Sequence, residues 1–176
     1  MNATELMNSI IELQEKVKAN PIANKEDMRT FYKDLVKLIL DNKMIGRIYD
    51  YFTPELVWYS DRARLTVGVE QLIEDVGDFT AAFPDVVADM EDTIVCPDGD
   101  GYRIAARMRL RGTNTGLSNF GAPTGKSIGE GGMAIHFIYL RKEADGQWRV
   151  HKLITCSSAE WLEGVRDINS PMGVTE

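Results

Sequence analysis

Two histidines and two cysteines carry most of the reactive chemistry this 176-residue chain can offer. His136 stands in the run Met133-Ala-Ile-His-Phe-Ile-Tyr-Leu140, on the parity shared by Ala134, Ile138 and Leu140. Imidazole titrates near neutrality, so on an apolar face it serves as a base, a donor or a hydrogen-bonded core group. By itself the position reads as core. His151 lies between Val150 and Lys152 near the end of the chain and reads as exposed. Cys96 and Cys156 sit in no CxxC or Cys/His ligand spacing, which argues against a zinc site. Two thiols make no disulfide scaffold. No triad, ligand cluster or nucleotide motif stands out, and neither a metal nor a cofactor is expected.

Two further patterns invite a functional reading and lose it. Gly121-Ala-Pro-Thr-Gly-Lys-Ser127 looks like a phosphate loop, but Phe120 occupies the first glycine's place and a strand-type run follows. A phosphate loop needs a helix there, to aim its amides. A hairpin loop is the better reading. Arg103, Arg107, Arg109 and Arg111 share one strand parity. They could bind an anion, but acids on a neighbouring strand would pair with them just as well. The aromatics Tyr49, Tyr51, Phe52, Trp58, Tyr59, Phe79 and Phe83 cluster in or beside helices that must cover a sheet. Such side chains fill a core or line one end of a pocket.

Composition narrows the class. Hydrophobic residues make up 44% and the formal net charge is -7. The first figure suits one globular domain with a real core. The second disfavours nucleic acid and anionic membrane as partners. The start lacks the basic and long apolar segments of a signal peptide, and no apolar run approaches a membrane span. The expected localisation is cytoplasmic.

The elements that must position these residues come in two blocks. Thr4 is expected to cap a helix with the stripe Leu6, Ile10, Leu13 and Val17, ending at Asn20-Pro21. Asn24 caps a second, through about Asn42, with Met28, Phe31, Leu35, Leu38 and Ile39 inward. A short helix over 44–52, a strand over 55–60, a loop and a helix over 69–83 follow. Then strands dominate. The run 86–95 leads into Pro97-Asp-Gly-Asp-Gly101, strong hairpin chemistry. Strands over 102–115, 128–141 and 148–157 follow, the middle one apolar on both faces and expected to be covered twice. Helices followed by hairpin-linked strands predict an α+β fold with an antiparallel sheet. The expected organisation is an extra helix over 1–22, one domain over 23–166 and a loose tail over 167–176.

Taken in order, Phe83-Pro84-Asp85, Arg111-Gly-Thr-Asn-Thr-Gly116, Gly121-Ala-Pro-Thr-Gly125 and Asp145-Gly146 resemble the SnoaL-like polyketide cyclases. That family lies within the nuclear-transport-factor-two-like superfamily. The similarity spans residues 28–165. It implies a cone-shaped, strongly curved antiparallel sheet with the N-terminal helices on its concave face, a pocket between them, and a homodimer through the outer face. It also implies cofactor-free aldol chemistry on an apolar or aromatic small molecule, with a carboxylate as base and a histidine holding the enolate. His136 falls on the family histidine. Cys156 falls near the family acid, with no carboxylate between Asp145 and Glu160, and Asn114 replaces a histidine often found there.

The resulting expectation has His136 and Cys156 as catalytic residues and Tyr59, Trp58, Phe83, Met108 and Asn114 around the ligand. Asp61, Asp92 and Glu130 are the nearest substitutes for the missing acid. The alternatives are a non-catalytic binding domain with the same pocket, and an interaction module using the N-terminal helix.

Overall fold

The structure is a computed structural model that describes residues 2–19, 21–60, 64–128 and 132–158. Three helices come first: α1 (Ala3–Ala19), α2 (Lys25–Val36) and α3 (Ile48–Tyr51). Strands β1 (Phe52–Ser60) and β2 (Arg64–Val67) precede α4 (Glu70–Ala82). The chain then runs through β3 (Val87–Asp98), β4 (Gly101–Arg111), β5 (Met133–Lys142) and β6 (Trp148–Ser157). The six strands form one sheet in the order β2-β1-β6-β5-β4-β3. The fold class is the expected one, a curved α+β cone with helices over its concave face.

Several boundaries follow from identifiable groups. Asn24 caps α2 by accepting from the Glu26 and Asp27 amides at 2.8 and 3.1 Å. The cap of α1 is Asn2, not the expected Thr4. The Asn2 side chain accepts from the Glu5 amide, and the Glu5 carboxylate accepts from the Asn2 amide. That reciprocal pair satisfies two orphan donors at once. After α2 the chain widens into a π turn, Lys37–Asp41. Lys43 closes it. Its ammonium donates to the Leu40 and Val86 carbonyls at 2.6 and 2.7 Å, tying the helical layer to the start of β3.

Two features of the sheet differ from expectation. The segment over 64–67, read as loop, is the edge strand β2, antiparallel to β1. The β1–β6 pair is parallel, while every other ladder is antiparallel. Pro54 lies inside β1, and the register shifts between Phe52 and Val57. Proline has no N–H for a ladder, so an irregularity there is its natural place.

The core lies between the helices and the inner sheet face. Met28, Leu35, Leu38, Ile48, Leu56, Phe83, Ile104, Met108, Ile138 and Leu140 are fully buried in it. Among the described residues, part of the outer face is left uncovered. Ile135 and Phe137 of β5 are exposed there. Both faces of β5 are apolar, but only one is buried in the described residues.

Three of the four resembled motifs, those around Asp85, Asn114 and Thr124, form one lock. The Asp85 carboxylate accepts the Thr113 amide at 2.7 Å. The Asn114 side chain donates to the Ala82 carbonyl at 3.3 Å and accepts the Thr124 amide at 2.6 Å. Gly116 donates to the Ala82 carbonyl, and a Cβ at Gly116 would overlap the Ala81 carbonyl oxygen. These contacts pin the end of α4 to the loop between β4 and β5. Overpacking against backbone has no flexible side chain to give way. Gly116→Ala should therefore lower the free energy of unfolding by at least about 2 kcal/mol, read as the urea midpoint. An unchanged midpoint would show that the loop does not bear on α4.

Candidate functional site

Side chains alternate across a strand, so the register sorts every candidate onto one of two faces. On the inner face, His136 of β5 stands opposite Ala106 of β4 and Thr155 of β6. Met108, Ala134, Leu153 and Trp58 share that face. On the outer face, Ile135 stands opposite Cys156, and Tyr59 opposite Ile154.

His136 is the most informative side chain of the molecule. Its Nδ1 lies 3.0 Å from the Tyr32 phenol oxygen, reached from α2. The ring sits deep among protein atoms yet keeps some accessible surface. Desolvation holds its pKa down to about 4, so it is neutral at physiological pH. Burial likewise pushes the Tyr32 phenol well above its ordinary value, so it keeps its proton. Beside this pair, the Trp58 indole N–H donates to Thr155 Oγ1 at 3.1 Å. His136, Thr155 and Ser157 all retain part of their surface on the inner face.

The other expected site residues divide. Trp58 and Met108 are on the inner face, and both are buried against the core. Phe83 is fully buried and packs on Phe79, ring centroids 5.3 Å apart. Asn114 is buried and engaged in the lock. Met108, Phe83 and Asn114 therefore have almost no surface to offer a ligand in this structure. Tyr59 is on the outer face, its ring 5.7 Å from the Lys152 ammonium. Cys156 is an exposed free thiol, also on the outer face. Neither is brought to His136. The side chain on the inner face beside the expected acid position is Thr155, one residue away, and a shift of one reverses the face in a strand.

No acid takes the missing place on the inner faces of β4, β5 and β6. Asp92 is on the outer side of β3, 2.6 Å from Arg107. Asp61 and Glu130 lie outside the described residues. Three of the four arginines in the row have acidic partners on β3, while Arg103 stands opposite Cys96. Arg107 and Arg109 meet Glu91, Arg107 also meets Asp92, and Arg111 meets Asp89. His151, expected to be exposed, is half-buried, its ring edge-on to Tyr139. A separate groove of about 360 Å³ is lined by Asp85, Val87, Arg111, Gly112, Thr113, Ser127 and Ile128. Its Asp85 and Arg111 are already engaged in the lock and an ion pair. Among the described residues, no three His, Cys, Asp or Glu side chains gather closely enough to hold a metal ion. No helix among them is long and apolar enough to cross a membrane.

Tyr32 and Thr155 are the polar groups that sequence reasoning passed over. Tyr32 stands four residues after Met28 and three before Leu35, within the buried stripe of α2. A hydroxyl on that stripe needs a partner, and this was a readable signal. Thr155 follows Leu153 in the alternation of β6, a weaker one.

The chain belongs to the SnoaL-like polyketide cyclase family, whose model matches residues 26–139. No curated protein matches it. Among solved structures, AclR from Streptomyces galilaeus is 19% identical, with 79% of this chain and 80% of that one covered at a TM-score of 0.59. The hexachlorocyclohexane dehydrochlorinase LinA-type3 from Novosphingobium barchaimii LL02 is 14% identical, covering 80% and 90% at 0.60. IdmH from Streptomyces antibioticus is 19% identical, covering 74% and 92% at 0.51. Identities this low carry the fold alone.

The depressed histidine has a consequence for stability. Its folded pKa of about 4 lies below the ordinary 6.5, so the unfolded chain takes up the proton first. The neutral ring supports folding fully above pH 6.5, and that support is lost as pH falls towards 4. The loss is at most about 3 kcal/mol, since each pKa unit is worth about 1.4 kcal/mol. Urea unfolding across this window should show wild type losing more stability than His136→Gln. Parallel curves would place the ring in water.

Proposed function

We propose that this chain holds an apolar or aromatic small molecule in its cone, with His136 as the polar contact to the ligand's oxygen. The observation that carries this is a desolvated imidazole, hydrogen-bonded by Tyr32 and still accessible on the inner face. The reaction class that fits the family is a cofactor-free, aldol-type ring closure. In it a carbon-bound proton leaves, an enolate forms, and a carbon–carbon bond closes onto a carbonyl of the same molecule. A neutral imidazole N–H suits the enolate oxygen, because a fixed donor in a dry cavity gains strength as charge develops. A solved neighbour named as a dehydrochlorinase shows that the same fold is associated with other chemistry as well.

A second reading is favoured by one observation: the inner faces of β4, β5 and β6 carry no carboxylate. Without a base the pocket binds and does not convert. Mass spectrometry of a tightly bound ligand, before and after incubation with the protein, separates the two. A product isomeric with the ligand, or lighter by one water, and absent with His136→Ala, supports the enzyme. Unchanged ligand supports the binding protein, and undiminished turnover by His136→Ala would remove His136 from the reaction.

The outer face supports a homodimer. Ile94, Ile135, Phe137 and Tyr59 expose apolar surface there, flanked by the paired arginines. Covering such a face is how a sheet this apolar stays soluble. Both cysteines are free thiols, which accords with a reducing cytoplasm. Analytical ultracentrifugation should find a dimer that Phe137→Glu converts to a folded monomer. A monomeric wild type would remove this assignment.

A further inference from the structure

Building on that pocket, we propose that the site reads its ligand through two adjacent hydrogen-bond donors, His136 Nε2–H and Thr155 Oγ1–H. Tyr32 is then the positioning residue that fixes the tautomer of His136. Trp58 is the one that turns the Thr155 hydroxyl outward. The ligand class this selects is an apolar molecule carrying an acceptor oxygen, a ketone or its enolate.

The assignment follows from counting protons. The Tyr32 phenol is buried and has one proton to place. Its partner among the described residues is His136 Nδ1 at 3.0 Å. Were Nδ1 protonated, that N–H would donate to the phenol oxygen, and the phenol's own proton would lack an acceptor in the core. An unsatisfied buried donor is the costlier arrangement. Nδ1 therefore accepts, and the ring proton sits on Nε2. The second donor follows in the same way. An indole N–H only donates, so Thr155 Oγ1 must accept from Trp58 at 3.1 Å. The threonine proton is then left to point elsewhere.

The two donors are neighbours by construction. His136 and Thr155 are opposed partners across β5 and β6. Side chains so paired stand about 5 Å apart at Cβ. Both donors are neutral, and their neighbours on the inner faces of β4, β5 and β6, Ala106, Ala134, Leu153 and Ser157, carry no charge. A charged anion would lose its hydration without gaining a counter-charge here. A carbonyl oxygen gives up less, and its enolate arises only after binding.

The test uses the full chain and two naphthalenes of equal shape. 2-Acetylnaphthalene carries a ketone, and 2-isopropenylnaphthalene carries a methylene in place of its oxygen. Calorimetry should show the ketone bound about tenfold more tightly, the value of one good hydrogen bond. Thr155→Val should weaken that preference to the share that His136 provides, while leaving the hydrocarbon's affinity unchanged. Nitrogen-15 NMR of the imidazole should report the Nε2–H tautomer in wild type and a mixture in Tyr32→Phe, a change that mere loss of packing would not produce. Equal affinity for the two probes would overturn the donor assignment and leave the pocket standing. Binding of neither would remove the pocket itself. A wild-type Nδ1–H tautomer would overturn the role of Tyr32 whatever the affinities.

Discussion

The buried amide of Asn114 joins the two halves of this molecule, donating to the end of α4 and accepting from the Thr124 amide in the loop before β5. The attachment of α4's end to the β4–β5 loop depends on it. α4 has no side-chain N-cap, and its last residues, Ala81 and Ala82, offer only backbone. The loop must bring its own donors, which Asn114 and Gly116 supply. Asp85, just past the helix, returns the favour to Thr113. A neutral imidazole provides one donor and one acceptor, and an amide provides both as well. Asn114 can thus stand where the family often has histidine without opening the lock. In this chain these motifs are first a device for holding a helix over a sheet.

The sheet's two faces then divide the labour by parity alone. Odd positions of β4 carry the arginines outward, and acids of β3 meet Arg107, Arg109 and Arg111. That pairing also guards β3, an edge strand with open backbone groups. Charges and the irregularity near Glu91 discourage another strand from adding there. Even positions of β4 and β5 turn inward to Ala106, Met108, Ala134 and His136. Tyr32 reaches the histidine because α2 is stacked on the same face, held by Asn24 at its start and by Lys43 beyond its π turn.

Much of this was legible because it is local. The Asn24 cap, the stripe of α2 and the Asp98-Gly-Asp-Gly101 turn depend on neighbours in the chain, and each lies where its chemistry demands. Gly99, for example, takes the left-handed φ of 61° that such a turn needs. The site was less legible because faces are set by register. Trp58 and Tyr59 are equivalent as composition, yet only Trp58 faces inward, and the parallel pairing with β6 decides it. Cys156 and Thr155 divide in the same way. The strand β2 is four residues long and exposes Leu65 and Val67, so it lacks the buried alternation that announces a strand.

What remains is why the proposed site would keep a histidine too weak a base to use. At a pKa of about 4 the ring accepts a proton from carbon poorly. The same desolvation makes it a better neutral donor, since no hydration competes for its N–H. Raising the basicity would need a carboxylate behind Nδ1, and the structure puts a phenol there instead. A phenol holds the ring without charging it. On the proposed reading, Tyr32 in place of an acid suits His136 to stabilising negative charge on oxygen, and leaves proton removal to a group brought from elsewhere or to no group at all.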